Sequence, residues 1–293
     1  MTGPIHLSIA APVEGGRPVF RAGGVPEIVR CSEMVVSHGR LTRTMHRHEG
    51  EAELVLVLDG YGRQVIGGET YLTGAGDLIF HNSGVMHEDD SRANTDCHTL
   101  CCVFSGLHAE GLAPGALIAP GRRPVVQAGA QFHILRAMFG LVYERLKTGD
   151  PYDRRIAQDI AAPLVMLAMQ LAEKQPETPP PPRHALVAAM QSYMDEHFAE
   201  DLHLEDITRR FAVSQYYACR LFKEQTGISP MKYLIRRRVG EAQTLLLATE
   251  RSVEEVAAAV GYANPNYFST VFSRVVGLPP KRYRQESTWA SGA

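Results

Sequence analysis

The 293-residue chain has few cysteines, no long apolar run and almost no net charge, and each shortage excludes a class of protein. Its five cysteines are an odd and sparse set, which argues against a disulfide-stapled secreted domain. The richest apolar run, residues 160–169, is far shorter than the roughly 20 residues of a membrane span and contains Pro163. The first residues lack the basic start and apolar core of a secretory signal. The sequence therefore predicts a cytoplasmic protein that does not enter a membrane.

The balance of charges gives no global signal for nucleic-acid binding. Lys and Arg number 30 against 32 Asp and Glu, which leaves a formal net charge of −2. Binding to DNA would therefore have to come from a local basic patch. With 45% hydrophobic and 21% charged residues the chain has the composition of a folded globular protein, and its length suits two domains.

A proline-rich segment divides the chain. Residues 175–183 include four consecutive prolines, which cannot continue a helix, and they predict a semi-rigid linker that reaches roughly 28 Å. Before it, short apolar runs at 54–58, 64–66 and 78–80 are bounded by glycines. Turn pairs such as Asp59-Gly60 and Gly67-Gly68 complete a β-hairpin pattern, so residues 1–126 are predicted to form a sandwich or barrel.

Residues 127–174 change to a helical period. Apolar side chains recur at steps of three and four along two stretches separated by Asp150-Pro151, which predicts a pair of helices. Two interpretations remain open. The pair is either a packing layer for the preceding β domain or a dimer interface.

Residues 184–286 are predicted to be helical and contain an internal repeat, with units at about 202–224 and 250–274. Each unit has a short amphipathic helix, a break at a small residue (Ala212 or Gly261) and a second helix. Four pairs of residues correspond at a spacing of 50: Phe222 and Phe272, Gly227 and Gly277, Pro230 and Pro280, Tyr233 and Tyr283. A helix, a tight turn and a second helix form the arrangement that enters the major groove of DNA.

A local patch of positive charge accompanies the first unit. Residues 207–238 contain eight cations and one acid, a net charge of +7 that would bind phosphates. The cations are Arg209, Arg210, Arg220, Lys223, Lys232, Arg236, Arg237 and Arg238. The alternative, a solvated face on a structural bundle, is disfavoured by the repeat.

The repeat resembles the paired helix-turn-helix domain of AraC/XylS-type transcriptional regulators. The motifs that carry the resemblance are Leu204-Glu-Asp-Ile207, Leu221-Phe-Lys-Glu-Gln-Thr-Gly227, Val256-Ala257-x-x-Val260-Gly-Tyr262, Asn266-Tyr-Phe-Ser269 and Phe272-x-x-x-x-Gly277-x-x-Pro280-x-x-Tyr-Arg284. The resemblance implies that the exposed side of each second helix contacts bases of double-stranded promoter DNA. The implied DNA-facing residues are Gln215, Tyr216, Cys219, Arg220 and Lys223 in the first unit, and Asn264, Asn266, Ser269, Thr270 and Arg274 in the second.

A second motif lies in the β-rich part. His46, His48, Glu53 and Gly60 read as H-x-H-x4-E-x6-G, and a Gly76-to-His87 segment follows. Residues two apart on a strand share a face, so His46 and His48 are predicted to point together into the barrel. With Glu53 and His87 they would form a three-histidine, one-carboxylate set suited to Zn, Ni, Mn or Fe(II). The spacing resembles the two motifs of cupins.

Three interpretations of this pocket remain open: a metal-free cavity for a small-molecule effector, a metal-containing sensor, and histidines that only satisfy local hydrogen bonds. A catalytic cupin is disfavoured, and the protein is expected not to be an enzyme. Cys97, Cys101 and Cys102 lie close in sequence. They are either redox or metal sensors or, as we favour, small buried hydrophobes.

The predicted fold class is α+β with two domains. A cupin-like β-barrel and a helix pair precede an all-α domain of two helix-turn-helix units joined by a helix, and residues 287–293 form a tail. The predicted function is an effector-controlled transcriptional regulator, with a homodimer as the expected form and RNA polymerase as a partner if it activates.

Overall fold

The computed structural model describes residues 18–36, 43–89, 95–175 and 185–289. Apart from Gln175, the predicted linker lies outside the described residues. The described part has a β-rich N-terminal region, an adjoining helix pair and an all-helical C-terminal region, which is the predicted α+β fold class.

The N-terminal region is an antiparallel sheet. Its strands in the described residues are β1 (Glu27–Val36), β2 (Ala52–Ile66), β3 (Glu69–Gly74), β4 (Asp77–His81), β5 (His87–Asp89), β6 (Thr95–Ser105) and β7 (Val125–Gln127). The sheet order is β1-β6-β2-β4-β7, and β3 and β5 pair with β2. The long β2 strand is therefore the centre of the domain.

Side-chain alternation along β2 gives the sheet two apolar faces. Leu54 and Leu56 pack into one buried cluster, whereas Val55 and Val57 belong to another, as the two-residue period of a strand requires. Gly67-Gly68 forms the predicted turn between β2 and β3, with both residues at positive φ. The prediction of a turn at Asp59-Gly60 was wrong. Strand β2 continues through this pair, which forms a bulge with two shifts in the register against β6.

Helices α1 (Phe132–Lys147) and α2 (Pro151–Glu173) cover one face of the sheet. Asp150 caps α2 by accepting hydrogen bonds from the backbone N–H groups of Tyr152 and Asp153. The inner faces of both helices share an apolar cluster with the sheet, so the pair is a packing layer. Within the described residues, α2 is the one helix whose length and composition would allow a membrane span. A helix that packs on a protein core passes the same test, and eight residues of α2 are buried.

The C-terminal helices are α3 (Ala185–Glu196), α4 (Leu204–Arg210), α5 (Gln215–Thr226), α6 (Pro230–Ala248), α7 (Val253–Ala259), α8 (Pro265–Val276) and α9 (Pro280–Trp289). Helices α4 and α5 form one unit and α7 and α8 the other, with α6 between them. Helix α9 ends at Trp289, two residues beyond the predicted start of the tail at 287.

The repeat has a structural basis in its turns and cores. Gly261 has φ 82°, and Ala212 has φ 52°, the one non-glycine residue at positive φ in the described ranges. Phe222 and Phe272 are fully buried at equivalent places in their units. Each unit packs on α6, which makes this helix the common support of both.

Candidate nucleic-acid interface and metal centre

Helix α5 presents a polar, exposed face. Ser214 begins the helix by accepting a hydrogen bond from the backbone N–H of Tyr217 at 3.2 Å. Ala218 and Phe222 point into the core. Gln215, Tyr216, Arg220 and Lys223 are exposed, and Cys219 is half-buried beside them.

Arg220 remains available to a ligand. Its Nε lies 3.2 Å from Glu224 Oε1, one turn further along, and both side chains are more than half exposed. Such solvent-exposed pairs contribute little, so a stronger bidentate acceptor could replace the carboxylate.

Helix α8 occupies the equivalent place in the second unit. Asn266, Thr270 and Arg274 are exposed and Ser269 is half-buried. Asn264 is also exposed, but its Oδ1 accepts hydrogen bonds from the backbone N–H groups of Asn266 and Tyr267 at 2.9 and 3.1 Å. Asn264 is therefore the N-cap of α8.

Sequence reasoning missed two tyrosines on these faces. Tyr217 is 41% exposed and Tyr267 is 59% exposed, and they lie 50 residues apart at the same position of their helices. A sequence does not distinguish a buried tyrosine from an exposed one. The 50-residue spacing of the repeat, however, also pairs Tyr217 with Tyr267, and this signal could have found them. Exposed aromatic rings beside polar groups add contact surface to a recognition helix.

The structure corrects the expected +7 patch. Arg236 is buried against Glu88, and Arg237 is buried against Glu241, with its guanidinium 4.1 Å from the ring centre of Phe198. Arg238 donates to the backbone carbonyls of residues 198 and 200 at 2.7 Å each. These three cations hold the fold together, which leaves as the exposed cations of the patch Arg209, Arg210, Arg220, Lys223 and Lys232.

A cluster of histidines lies in the N-terminal domain, with Glu53 among them. We call His46, His48, Glu53, His81 and His87 the histidine cluster. The His46 and His87 ring centres are 4.2 Å apart, and the His81 ring stacks on His87 at 3.9 Å. Glu53 lies 3.4 Å from His48 Nε2 through Oε2 and 3.4 Å from His81 Nδ1 through Oε1. All four residues predicted from the sequence thus converge, and His81 joins them.

The backbone that positions the cluster differs from the expected strand. Residues 43–48 form no named strand, but His46 and His87 pair as an isolated antiparallel bridge. The two backbone hydrogen bonds between them measure 2.9 and 2.8 Å. Glu53 and His81 are cross-strand neighbours on β2 and β4. Sequence reasoning missed His81, because only the pairing of β4 with β2 brings it to Glu53.

Burial determines the charge of the cluster. It lowers the pKa of His46 and of His87 well below the usual value of 6.5, with a smaller contribution from neighbouring histidines. Burial alone would raise the pKa of Glu53, but hydrogen bonds from His48 and His81 hold it well below its usual range. At neutral pH the cluster therefore contains two neutral imidazoles and an ionised carboxylate.

The donor set fits a transition metal. His46 Nδ1 and His87 Nδ1 donate to the backbone carbonyls of Thr44 and Val85 at 2.8 and 2.9 Å, which leaves each Nε2 with its lone pair. The Nε2 atoms of His81 and His87 are buried without a hydrogen-bond partner. Two candidate metal-binding groups, one with all three predicted histidines and one with Glu53, His81 and His87, each have ligand atoms within 4.8 Å of one another.

His48 is the histidine of the cluster whose Nε2 also contacts an arginine. Arg30 Nη2 lies 3.3 Å from His48 Nε2, so a metal there would have to displace the guanidinium.

The cysteines behave as buried apolar groups. Burial raises the pKa of the Cys101 and Cys102 thiols well above their usual range, which disfavours the reactive thiolate. Cys31 lies opposite Cys102 across β1 and β6, with 3.3 Å between the two Sγ atoms.

Comparisons with known proteins agree with this architecture. A family model described as a helix-turn-helix domain matches residues 207–286, and a cupin domain model matches residues 32–103. An uncharacterized HTH-type transcriptional regulator of Escherichia coli, YdiP, is 28% identical over 244 residues, covering 82% of this chain and 80% of the relative. The HTH-type transcriptional activator RhaS of Escherichia fergusonii is 28% identical over 252 residues, covering 82% and 87%.

Among solved structures, the DNA-binding domain of the global transcriptional factor AdpA in complex with a target DNA is 32% identical. It covers 35% of this chain and 93% of that one, with a TM-score of 0.34.

A paired helix-turn-helix domain with exposed second helices, joined to a cupin domain, defines a DNA-binding transcriptional regulator, and the relatives are regulators and not enzymes. The chain has an AraC-type helix-turn-helix domain and a cupin domain, and its homologues are AraC-family regulators.

Proposed function

We propose that this protein binds specific promoter sequences and that an effector held in the cupin domain controls this binding. The observation that carries the proposal is the histidine cluster: the neutral imidazoles of His46 and His87, and the unpartnered buried Nε2 atoms of His81 and His87, lie next to an ionised carboxylate. Unsatisfied buried polar atoms destabilise a fold unless a ligand or water satisfies them. A regulator that retains such a group has a site for an effector.

The donor atoms of the cluster favour a metal ion as the effector, so the effector site in this proposal is a metal centre. His46, His87, Glu53 and His81 would supply the ligands, with His48 as a further donor, and Zn, Ni, Mn or Fe(II) would suit this set. The bound metal would supply a fixed positive charge that draws the donor atoms together. The alternative is an organic effector without metal. A cavity of about 260 Å³ favours this organic effector, because two residues of the cupin domain, Met86 and His87, line the cavity.

Elemental analysis of protein purified without an affinity tag or chelator tests the metal. We expect about one equivalent of transition metal per chain, lost in His87→Ala and retained in the control His98→Ala. His98 is a matched control because it pairs with Glu33 on the opposite edge of the sheet, at 2.8 Å and partly exposed. Absence of metal, together with unchanged folding of His87→Ala, would favour the organic effector instead.

We propose that α5 and α8 read two successive segments of the major groove, about one turn or roughly 34 Å apart. The contacts to bases would come from Gln215, Tyr216, Cys219, Arg220, Asn266, Ser269, Thr270 and Arg274, with Lys223 on phosphate. Thr270 occupies the position that Arg220 has in the first unit, so the two units would read different sequences. Asn264 would act as the cap that orients α8.

We further propose a homodimer formed by the outer faces of α1 and α2. These faces expose Ile134, Leu141, Ile156 and Met166, which are large apolar side chains beside the buried inner faces. Sedimentation of Leu141→Glu should show a monomer at concentrations where the native chain is a dimer, whereas Val35→Glu, on an exposed position of β1, should not. Equal sedimentation of all three would contradict this interface.

In a dimer, an effector that prefers one arrangement of the domains would change which pair of half-sites is spanned. The relative RhaS is described as an activator, so activation through RNA polymerase in the cytoplasm is the direction we propose.

A further inference from the structure

Helix α6 packs directly on the segment that carries His46. Gly240, in the middle of α6, lies so close to residues 44 and 45 that a Cβ there would be 1.9 Å from the carbonyl oxygen of Met45. The Met45 side chain is buried in an apolar cluster with residues of α3, α5 and α6. The two domains are therefore in backbone contact at the helix that supports both DNA-binding units.

Several polar contacts flank this backbone contact, and we call two of them, those of Gln243 and Arg236, the interdomain clamp. Gln243 is fully buried, and its Oε1 accepts hydrogen bonds from the backbone N–H and the hydroxyl of Thr44 at 2.9 and 2.7 Å. Arg236 Nη1 lies 3.2 Å from Glu88 Oε2, with the two side chains 10% and 4% exposed. A buried ion pair fixes geometry strongly, because moving either partner away leaves a desolvated charge unpaired.

The cupin side of the clamp and the histidine cluster share one piece of backbone. Thr44 accepts the Nδ1–H bond of His46 through its carbonyl oxygen, and Glu88 follows His87 directly. His46 and His87 are joined by two backbone hydrogen bonds. Their rings enter the cluster, while Met45 and Glu88 contact the DNA-binding domain. A displacement of either ring must therefore move the residues that hold α6.

We propose that the interdomain clamp transmits the state of the histidine cluster to the DNA-binding domain. The inference rests on the proposed function, since it requires an occupant that draws the cluster nitrogens together. Such an occupant shifts the bridge between residues 46 and 87, the bridge shifts Thr44 and Glu88, and α6 follows through Gln243 and Arg236. Because α6 contacts α5, α7 and α8, its position sets the relation between the two recognition helices. The coupling is reciprocal, so DNA binding would change the affinity for the occupant by the same factor.

Hydrogen exchange of the full-length protein with and without Zn²⁺ tests the clamp, with zinc affinity measured in parallel by calorimetry. In the native chain, zinc should change amide exchange of residues 230–248 by at least about fivefold, the lower end of typical coupling. Glu88→Gln should abolish this change while its zinc affinity stays within about twofold of native. The matched control is Glu110→Gln, which removes an exposed ion pair with Arg21 in the same domain and should behave as native.

A second variant tests the same proposal if Glu88→Gln does not fold. Thr44→Val removes one of the two hydrogen bonds to Gln243 without stranding a charge, and it should reduce the zinc response of α6 partially. If zinc binds but exchange of α6 does not change in the native chain, the clamp proposal is wrong and the metal site stands. If zinc does not bind, the proposed metal site is wrong, and the proposed coupling between the histidine cluster and α6 is wrong as well.

Discussion

Gly240→Ala is the sharpest test of how the two domains sit together. In an isolated helix, alanine is more stable than glycine by about 1 kcal/mol, so α6 by itself should gain. In the folded chain the new Cβ would lie 1.9 Å from Met45 O, 2.7 Å from Met45 C and 3.2 Å from Thr44 O. Real Cβ atoms essentially never approach within 3.0 Å of another heavy atom, so the two backbones must separate by about 1 Å.

The expected magnitude follows from opposing contributions. Overpacking of a tight contact destabilises by about 1–3 kcal/mol, and the upper end applies because backbone, unlike a side-chain end, cannot rotate away. Subtracting the gain in helix propensity leaves a net loss of about 2 kcal/mol in domain docking. At about 1.4 kcal/mol per factor of ten, the undocked population should rise roughly 30-fold.

Amide hydrogen exchange measured by mass spectrometry detects this loss of stability in domain docking. We expect faster exchange in residues 43–48 and in α6 of Gly240→Ala, without global unfolding of either domain. Gly140→Ala is the matched control, because Gly140 lies within α1 and a Cβ there meets no atom within 4 Å. That variant should be more stable by up to about 1 kcal/mol and leave the interface unchanged.

The opposite result would refute the reasoning. If Gly240→Ala raises the melting temperature as Gly140→Ala does, with no change of exchange in residues 43–48, the docked arrangement is not the populated state in solution. The interdomain clamp would then lose its support as well.

Three further outcomes are expected. In chelator-treated protein, the free energy of unfolding should fall by up to about 3 kcal/mol between pH 7.5 and 5.5, because His46 and His87 stay neutral in the fold while their unfolded forms bind protons below pH 6.5. A flat urea-denaturation profile over that range would show that the two rings are not held neutral. Arg220→Ala should weaken binding to an operator selected in vitro by about 1–3 kcal/mol and binding to scrambled DNA by less. Equal losses on both DNAs would remove Arg220 from base reading. Ala212→Gly should stabilise the first unit by about 1 kcal/mol, because glycine adopts the positive φ of this position without strain. Gly261→Ala should destabilise the second unit for the opposite reason. If both variants melt at the same temperature as the native chain, both expectations are contradicted.

The sequence by itself determined the architecture of the C-terminal domain. Its signals are local: a helix needs an apolar stripe, a tight turn needs a small residue, and two copies 50 residues apart confirm each other's phase. Hence the second helices that carry Phe222 and Phe272, and the break between helices at Gly261, followed from short stretches of chain. The H-x-H-x4-E spacing is equally local, and it named three members of the histidine cluster, while the Gly76-to-His87 segment named the fourth, His87.

Tertiary structure alone decided which of these residues are free to act. Arg236 belonged to an apparent DNA-binding patch, yet it is buried against Glu88, 148 positions away in the chain. Asp59-Gly60 has the composition of a turn, but pairing with β6 and β3 on either side keeps the strand continuous through it. His81 enters the cluster only because β4 pairs with β2. Periodicity and spacing describe what a segment can form with itself, whereas burial and charge pairing depend on what the rest of the chain places against it.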